Sequence, residues 1–120
     1  MIMYVTGDCL PELACNIDYL GFTTPSGDIV TDCDTDDSKI KDGRIDVRMK
    51  GVYFNDEYAN GMLSELSHAT LSEVQLKNVN GELTRPLNSN TFRIHTITVN
   101  DGGTEWKMEI KNDYAVSVVD

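Results

Sequence analysis

A chain of 120 residues, 40% apolar and 25% charged, has the make-up of one ordinary globular domain with a single core, which excludes a disordered chain. A net charge of −10, from 20 acidic against 10 basic residues, works against direct contact with nucleic acid phosphates or anionic membranes. No stretch approaches the roughly 20 apolar residues of a membrane span, and the opening MIMYVTGDC has neither the basic region nor the apolar run of a leader, so the expectation is a soluble, cytoplasmic protein.

The charge is unevenly placed. The first 38 residues hold eight acids and no Lys or Arg, whereas residues 39–120 hold twelve acids and ten bases. Such asymmetry points to an electrostatic task for one region. Cys9, Cys15 and Cys33 are an odd set, so a complete disulfide framework is impossible and free thiols are expected.

In chain order, residues 1–43 read as an acidic segment of irregular chain and short strands, and residues 44–120 as a β-rich core with one helix. The early strand candidates are NIDYLGF and DIV. Next comes TDCDTDDSKIKDG, Thr31 to Gly43, which packs Asp32, Asp34, Asp36 and Asp37 together and ends on an Asp-Gly turn. It resembles half of a calcium loop. A calcium loop starting at Asp32 would need glycine where Asp37 stands and glutamate where Gly43 stands; starting at Asp34 puts Ile45 at the last ligand position. The expectation is a solvated acidic loop and no metal. A zinc set drawn from Cys9, Cys15, Cys33, His68 and His95 fails on spacing, because five residues separate Cys9 from Cys15 and no second close pair exists.

RIDVRMKGVYF alternates as a strand does, with Ile45, Val47, Met49 and Tyr53 on one side, Arg44, Arg48 and Lys50 on the other, and Gly51 marking a bulge. NDEYANGMLSELSH repeats Tyr58, Met62 and Leu66 at helical spacing behind a capping Asn55 or Asp56, predicting a helix over about 56–67. VQLKNVNGELTRPL reads as a hairpin turning at Asn80-Gly81, with Val74, Leu76, Leu83 and Leu87 on one face and Pro86 at an edge.

The last third predicts an antiparallel meander. TFRIHTITV and TEWKMEI flank NDGG, with Val99 set opposite Thr104, and a third strand, YAVSVV, returns beside the second. Ile97, Val99, Trp106, Met108, Ile110, Tyr114, Val116 and Val118 then face inward, while Glu105, Lys107, Glu109 and Lys111 face outward. His95 falls on the inward side beside Met108. Phe92 and Ile94 are out of phase with Ile97, which demands a bulge or a second packed layer. The fold class that results is mainly β, an antiparallel sandwich or barrel with one short α-helix at about 56–67.

None of G-x-S-x-G, H-E-x-x-H, G-x-x-x-x-G-K-[ST] or G-x-G-x-x-G occurs. The expectation is therefore a non-enzymatic domain without a cofactor, acting by contact through an acidic surface of Asp28, Asp32, Asp34, Asp36 and Asp37. Its partner would be copies of itself or a basic surface on another protein. As a structural subunit of a larger, phage-like particle it would use its edge strand and N-terminal segment for pairing, and an acidic lining would let DNA pass without sticking. As a small inhibitor or immunity-type protein it would instead cover a basic, nucleic-acid-binding groove.

Overall fold

In the computed structural model, residues 2–25, 27–34, 40–54, 67–78, 87–111 and 113–119 are described, with 27–34, 50–54, Asn78 and Asp101 placed by backbone alone. They form nine strands: β1 Ile2–Cys9, β2 Cys15–Thr24, β3 Gly27–Asp34, β4 Ile40–Lys41, β5 Arg44–Phe54, β6 Thr70–Asn78, β7 Phe92–Asp101, β8 Thr104–Lys107 and β9 Ala115–Val119. The hydrogen-bonded path runs β8-β7-β1-β5-β3-β2-β6-β9, with β4 on β5.

The path doubles back at β5. Arg44 to Lys50 pair with β1, whereas Lys50 to Phe54 pair with β3. One eleven-residue strand therefore ends a front layer (β8, β7, β1, β5) and begins a rear layer (β5, β3, β2, β6, β9). Across the bend, Gly51 and Val52 of β5 stand against Cys33 alone, the bulge expected at Gly51. Met3, Val5, Val47, Ile97 and Val99 of the front layer and Ile17, Leu20, Phe22, Val74 and Leu76 of the rear belong to one buried cluster, each no more than 1% exposed. The result is a sandwich and not a closed barrel.

Three more bulges keep the apolar residues on the core side. A strand alternates with period two, so residues three apart face opposite ways unless one extra residue is inserted between them. Ile94 and Ile97 are three apart and both buried; the β1–β7 register shifts at Thr6/Gly7 and leaves His95 as the extra residue. Ile17 and Leu20 are reconciled by Asp18 in β2, and Leu71 and Val74 by Ser72 in β6. Ser72 also donates its hydroxyl to the Gly21 carbonyl, 3.0 Å away. The bulge at His95 brings β7 so close to β1 that a Cβ on Gly7 would lie 2.0 Å from the Arg93 carbonyl oxygen.

The β7–β8 hairpin forms as expected but two residues tighter. Asp101 pairs with Thr104 and Val99 with Trp106, so the turn is Gly102-Gly103 and not a loop closed by Val99 and Thr104. Both glycines have positive φ, 59° and 91°, which a two-residue hairpin of this hand requires. The Asp42-Gly43 turn expected after the aspartates is present too, with φ of 55° and 77°, and joins β4 to β5.

The third strand of the expected meander does not join β8. After Met108, whose N–H donates to the Ile97 carbonyl at 3.1 Å, the chain crosses to the rear layer. A bridge from Thr70 to Glu109 starts the new pairing, and β9 then runs parallel to β6 from Glu73↔Ala115 to Lys77↔Val119. Every other strand pair among the described residues is antiparallel. The inward and outward faces are unaffected by this change: Met108 and Tyr114 are buried, Trp106, Ile110, Val116 and Val118 pack on the core, and Glu105, Lys107, Glu109 and Lys111 are exposed.

The described part of the first 43 residues is far more regular than expected, with four strands and a β1 that lies between β7 and β5 in the front layer. Residues 55–66 of the expected helix lie outside the described residues; Ser67 and His68 form a short 3₁₀ turn. Asn80-Gly81, Leu83 and Pro86 also lie outside them, and both edges of β6 over Glu73–Lys77 are already taken by β2 and β9.

Replacing Gly7 by alanine is expected to lower unfolding stability by about 3 kcal/mol, since its Cβ meets backbone on a rigid neighbouring strand. Gly103→Ala, which meets no atom within 4 Å, is expected to cost only about 1 kcal/mol from its positive φ. Urea denaturation of the two variants checks both values.

Candidate functional site

The fold converts the uneven charge of the sequence into a difference between layers. Strands β1, β4, β7, β8 and β5 as far as Lys50 carry six basic residues (Lys41, Arg44, Arg48, Lys50, Arg93, Lys107) against four acidic ones (Asp8, Asp46, Asp101, Glu105). Strands β2, β3, β6 and β9 carry Asp18, Asp28, Asp32, Asp34 and Glu73 against Lys77 alone. The front layer is thus weakly positive in a chain of net charge −10, and the rear layer is negative.

Of the five aspartates expected to form an acidic surface, Asp28, Asp32 and Asp34 lie on β3, between β5 and β2 in the rear layer. Asp28 is in register with Thr23 and Asp32 with Tyr19 and Tyr53, while Asp34 stands against Lys50 where β5 bends. Asp36 and Asp37 lie outside the described residues. The segment expected to be a loop is therefore strand as far as Asp34, because each of its backbone edges meets a partner, β2 on one side and β5 on the other.

The outer side of the front layer presents the opposite character. Strand register aligns Lys107, Thr98, Tyr4 and Arg48 in one row across β8, β7, β1 and β5. Tyr4, 40% exposed, is the one large apolar side chain among the described residues that the surface leaves open, with an exposed Arg48 beside it. Thr6 and Thr96, in the next row, join their hydroxyls across the strands.

His95 stands on this same surface, not beside Met108 on the inward side, because the bulge turns it outward. Its Nε2 lies 2.6 Å from Oδ2 of Asp8, with both side chains more than half exposed. A side-chain pair so accessible contributes at most about 1 kcal/mol. His95 and Thr96 of β7, with Glu105 and Lys107 beyond them, line an open groove of about 310 Å³ floored by Ile97 and Met108. Neither Tyr4 nor the Asp8–His95 pair is apparent as a surface feature in the sequence; the out-of-phase spacing of Ile94 and Ile97 is the available signal for the second. No group of three His, Cys, Asp or Glu side chains among the described residues is placed to hold a metal ion.

Tyr114 ties the layers together beneath that surface. Its hydroxyl accepts the Ile94 N–H at 2.7 Å and donates to the Phe92 carbonyl at 2.5 Å. β8 pairs with β7 only from Thr98 onward, so Tyr114 fills the place of a missing strand along the first half of β7. Burial raises its pKa, against the opposing pull of the Ile94 N–H. The thiols behave alike. Burial, and then the neighbouring Cys9, push Cys15 up to about 12, and burial followed by Asp8 raises Cys9. Both are free and unreactive in character.

No protein family, curated protein or solved structure matches the chain. No helix among the described residues is long and apolar enough to cross a membrane.

Two outcomes are expected here. Tyr114→Phe leaves the Ile94 N–H and Phe92 carbonyl buried without partners and is expected to cost about 2–3 kcal/mol in denaturant unfolding. Cys15, Cys9 and Tyr114 all hold their protons more tightly when folded, so the folded state binds more protons in the alkaline range and stability falls as pH rises through it. The melting temperature should hold steady up to the ordinary thiol value of 9 and fall toward 12, less steeply in Cys15→Ala.

Proposed function

We propose that the chain is a non-enzymatic assembly domain, a structural subunit of a larger, phage-like particle, whose copies meet front to rear. The observation that carries this reading is the separation of charge between the two layers. A positive face and a negative face on opposite sides of one sandwich are complementary between copies, not within one copy. The contact they make joins unlike surfaces and therefore propagates, closing into a ring or extending as a tube according to the rotation per copy. Arg48 and Lys107, with Tyr4 between them as an aromatic anchor, would receive the acidic strand β3 and the aspartates that follow it, Asp36 and Asp37. The remaining acidic surface would line whatever passes the assembly and repel nucleic acid.

A second reading rests on the same strand. Asp28, Asp32 and Asp34 on one strand paired on both edges would also suit a small inhibitor or immunity-type protein covering a basic groove on another protein. That reading expects a monomer at every salt concentration, and loss of the complex when Asp32, Asp34, Asp36 and Asp37 become asparagine.

Light scattering during size exclusion separates the two. Assembly predicts oligomers at about 50 mM salt that dissociate at about 500 mM, because such contacts are screened within a few ångströms. Arg48→Glu, or Asp32→Asn with Asp34→Asn, should shift the low-salt population toward smaller species by about tenfold in association constant. A chain that shows no oligomer beyond the mass seen at high salt, at low salt and high concentration, overturns the reading.

A further inference from the structure

We propose that the outer edge of β9 is where a second copy of this chain joins, by antiparallel β9–β9 pairing about a two-fold axis. β9 ends the rear layer: β6 takes one of its edges, and no strand among the described residues pairs with the other. An unpaired edge offers a row of backbone donors and acceptors to any strand that can approach.

The two ends of the sheet path are guarded differently. β8 is four residues long and carries Glu105 and Lys107, both exposed, the usual protection of an edge. β9 is Ala-Val-Ser-Val-Val, with no charge, no proline and no glycine. Its core-side residues Val116 and Val118 pack against the buried cluster yet stay partly exposed, on the last described strand of the layer.

A second copy is the occupant that fits. Copies with a net charge of −10 repel one another, so a close backbone contact between them needs a strand that brings no charge of its own. The order of residues in β9 is also nearly symmetric about Ser117. Antiparallel pairing centred there sets Val116 opposite Val118 of the second copy, Ala115 opposite Val119, and Ser117 opposite Ser117. Four valines then form one apolar strip across the joint. The exposed Ser117 of each copy lies on the outer side, where it is free to meet its equivalent.

This contact goes beyond the charge-driven association above and shares no residue with it. At about 1 M salt, where charge contacts are screened within about 3 Å, light scattering should still give a dimer mass. Ser117→Lys places like charges directly opposite each other and should weaken the dimer at least about tenfold without altering the melting temperature of the monomer. Ser117→Cys should form a disulfide-linked dimer under mild oxidation, mapped by mass spectrometry to a bond between the two substituted positions, at a rate well above any cross-linking of the parent chain. A monomer at high salt, a dimer undiminished by Ser117→Lys, or a Ser117→Cys chain that cross-links no faster than the parent overturns the proposal. Low-salt oligomers that persist beside a high-salt monomer would leave the charge-driven reading standing alone; a salt-resistant dimer that grows no larger at low salt would leave β9 pairing alone.

Discussion

The two-residue period of a strand is the constraint on which the rest of this structure depends. A slip of one residue sends every later apolar side chain to solvent. β2, β6 and β7 each carry core residues three apart, and each takes one extra residue, Asp18, Ser72 or His95, to bring the second half back into phase. The correction is local in the chain but wide in effect. Without it the outer halves of three strands would lose Leu20, Phe22, Leu71, Ile97 and Val99 from a shared core. The inserted residues are polar, so each bulge removes a polar side chain from the core and a misplaced apolar one from the surface at once.

One of these corrections also fixes what the surface offers. The extra residue in β7 is the only described histidine on a strand, and turning it outward places it against Asp8 at the rim of the groove beside β8. Gly7 is the price of that close approach, since any side chain there would strike the Arg93 backbone. Core phase, backbone proximity and a polar surface pair are thus three aspects of one inserted residue. Tyr114 complements them from the other side by satisfying the backbone that β8 does not reach.

Much of this was legible in the residues, though unevenly. Inward and outward faces of the last third follow from alternation alone, and burial agrees with them at the eight residues Trp106, Met108, Ile110, Tyr114, Glu105, Lys107, Glu109 and Lys111, as at Val116 and Val118. Turn position is harder: Asn-Asp-Gly-Gly offers two candidate centres, and the demand for positive φ at both central residues selects Gly102-Gly103. The partner of β9 was not legible, because a short link such as Lys-Asn-Asp suits a hairpin equally well, and nothing in the pattern says that the chain changes layer. β1 gives a weak signal because its alternation of Met3 and Val5 with Tyr4 and Thr6 spans so few residues. For the aspartates, composition marked only the charge; the regular placement of Asp28, Asp32 and Asp34 on one strand comes from β2 and β5, which close on β3 from distant parts of the chain.

The central place of β1 has a bearing on how the chain reaches this state. Its neighbours are β5 and β7, and Thr6 meets Thr96, 90 positions further along the chain. Pairings so distant are slow to form, because long loops must close before any contact rewards them. On the ribosome, the front layer cannot be completed until β7 has been synthesised and has emerged. Until then β1 waits with Met3 and Val5 uncovered on the β7 side, and β5 is its one available neighbour. Of these nine strands, the one made before the other eight is among the last to be fully enclosed.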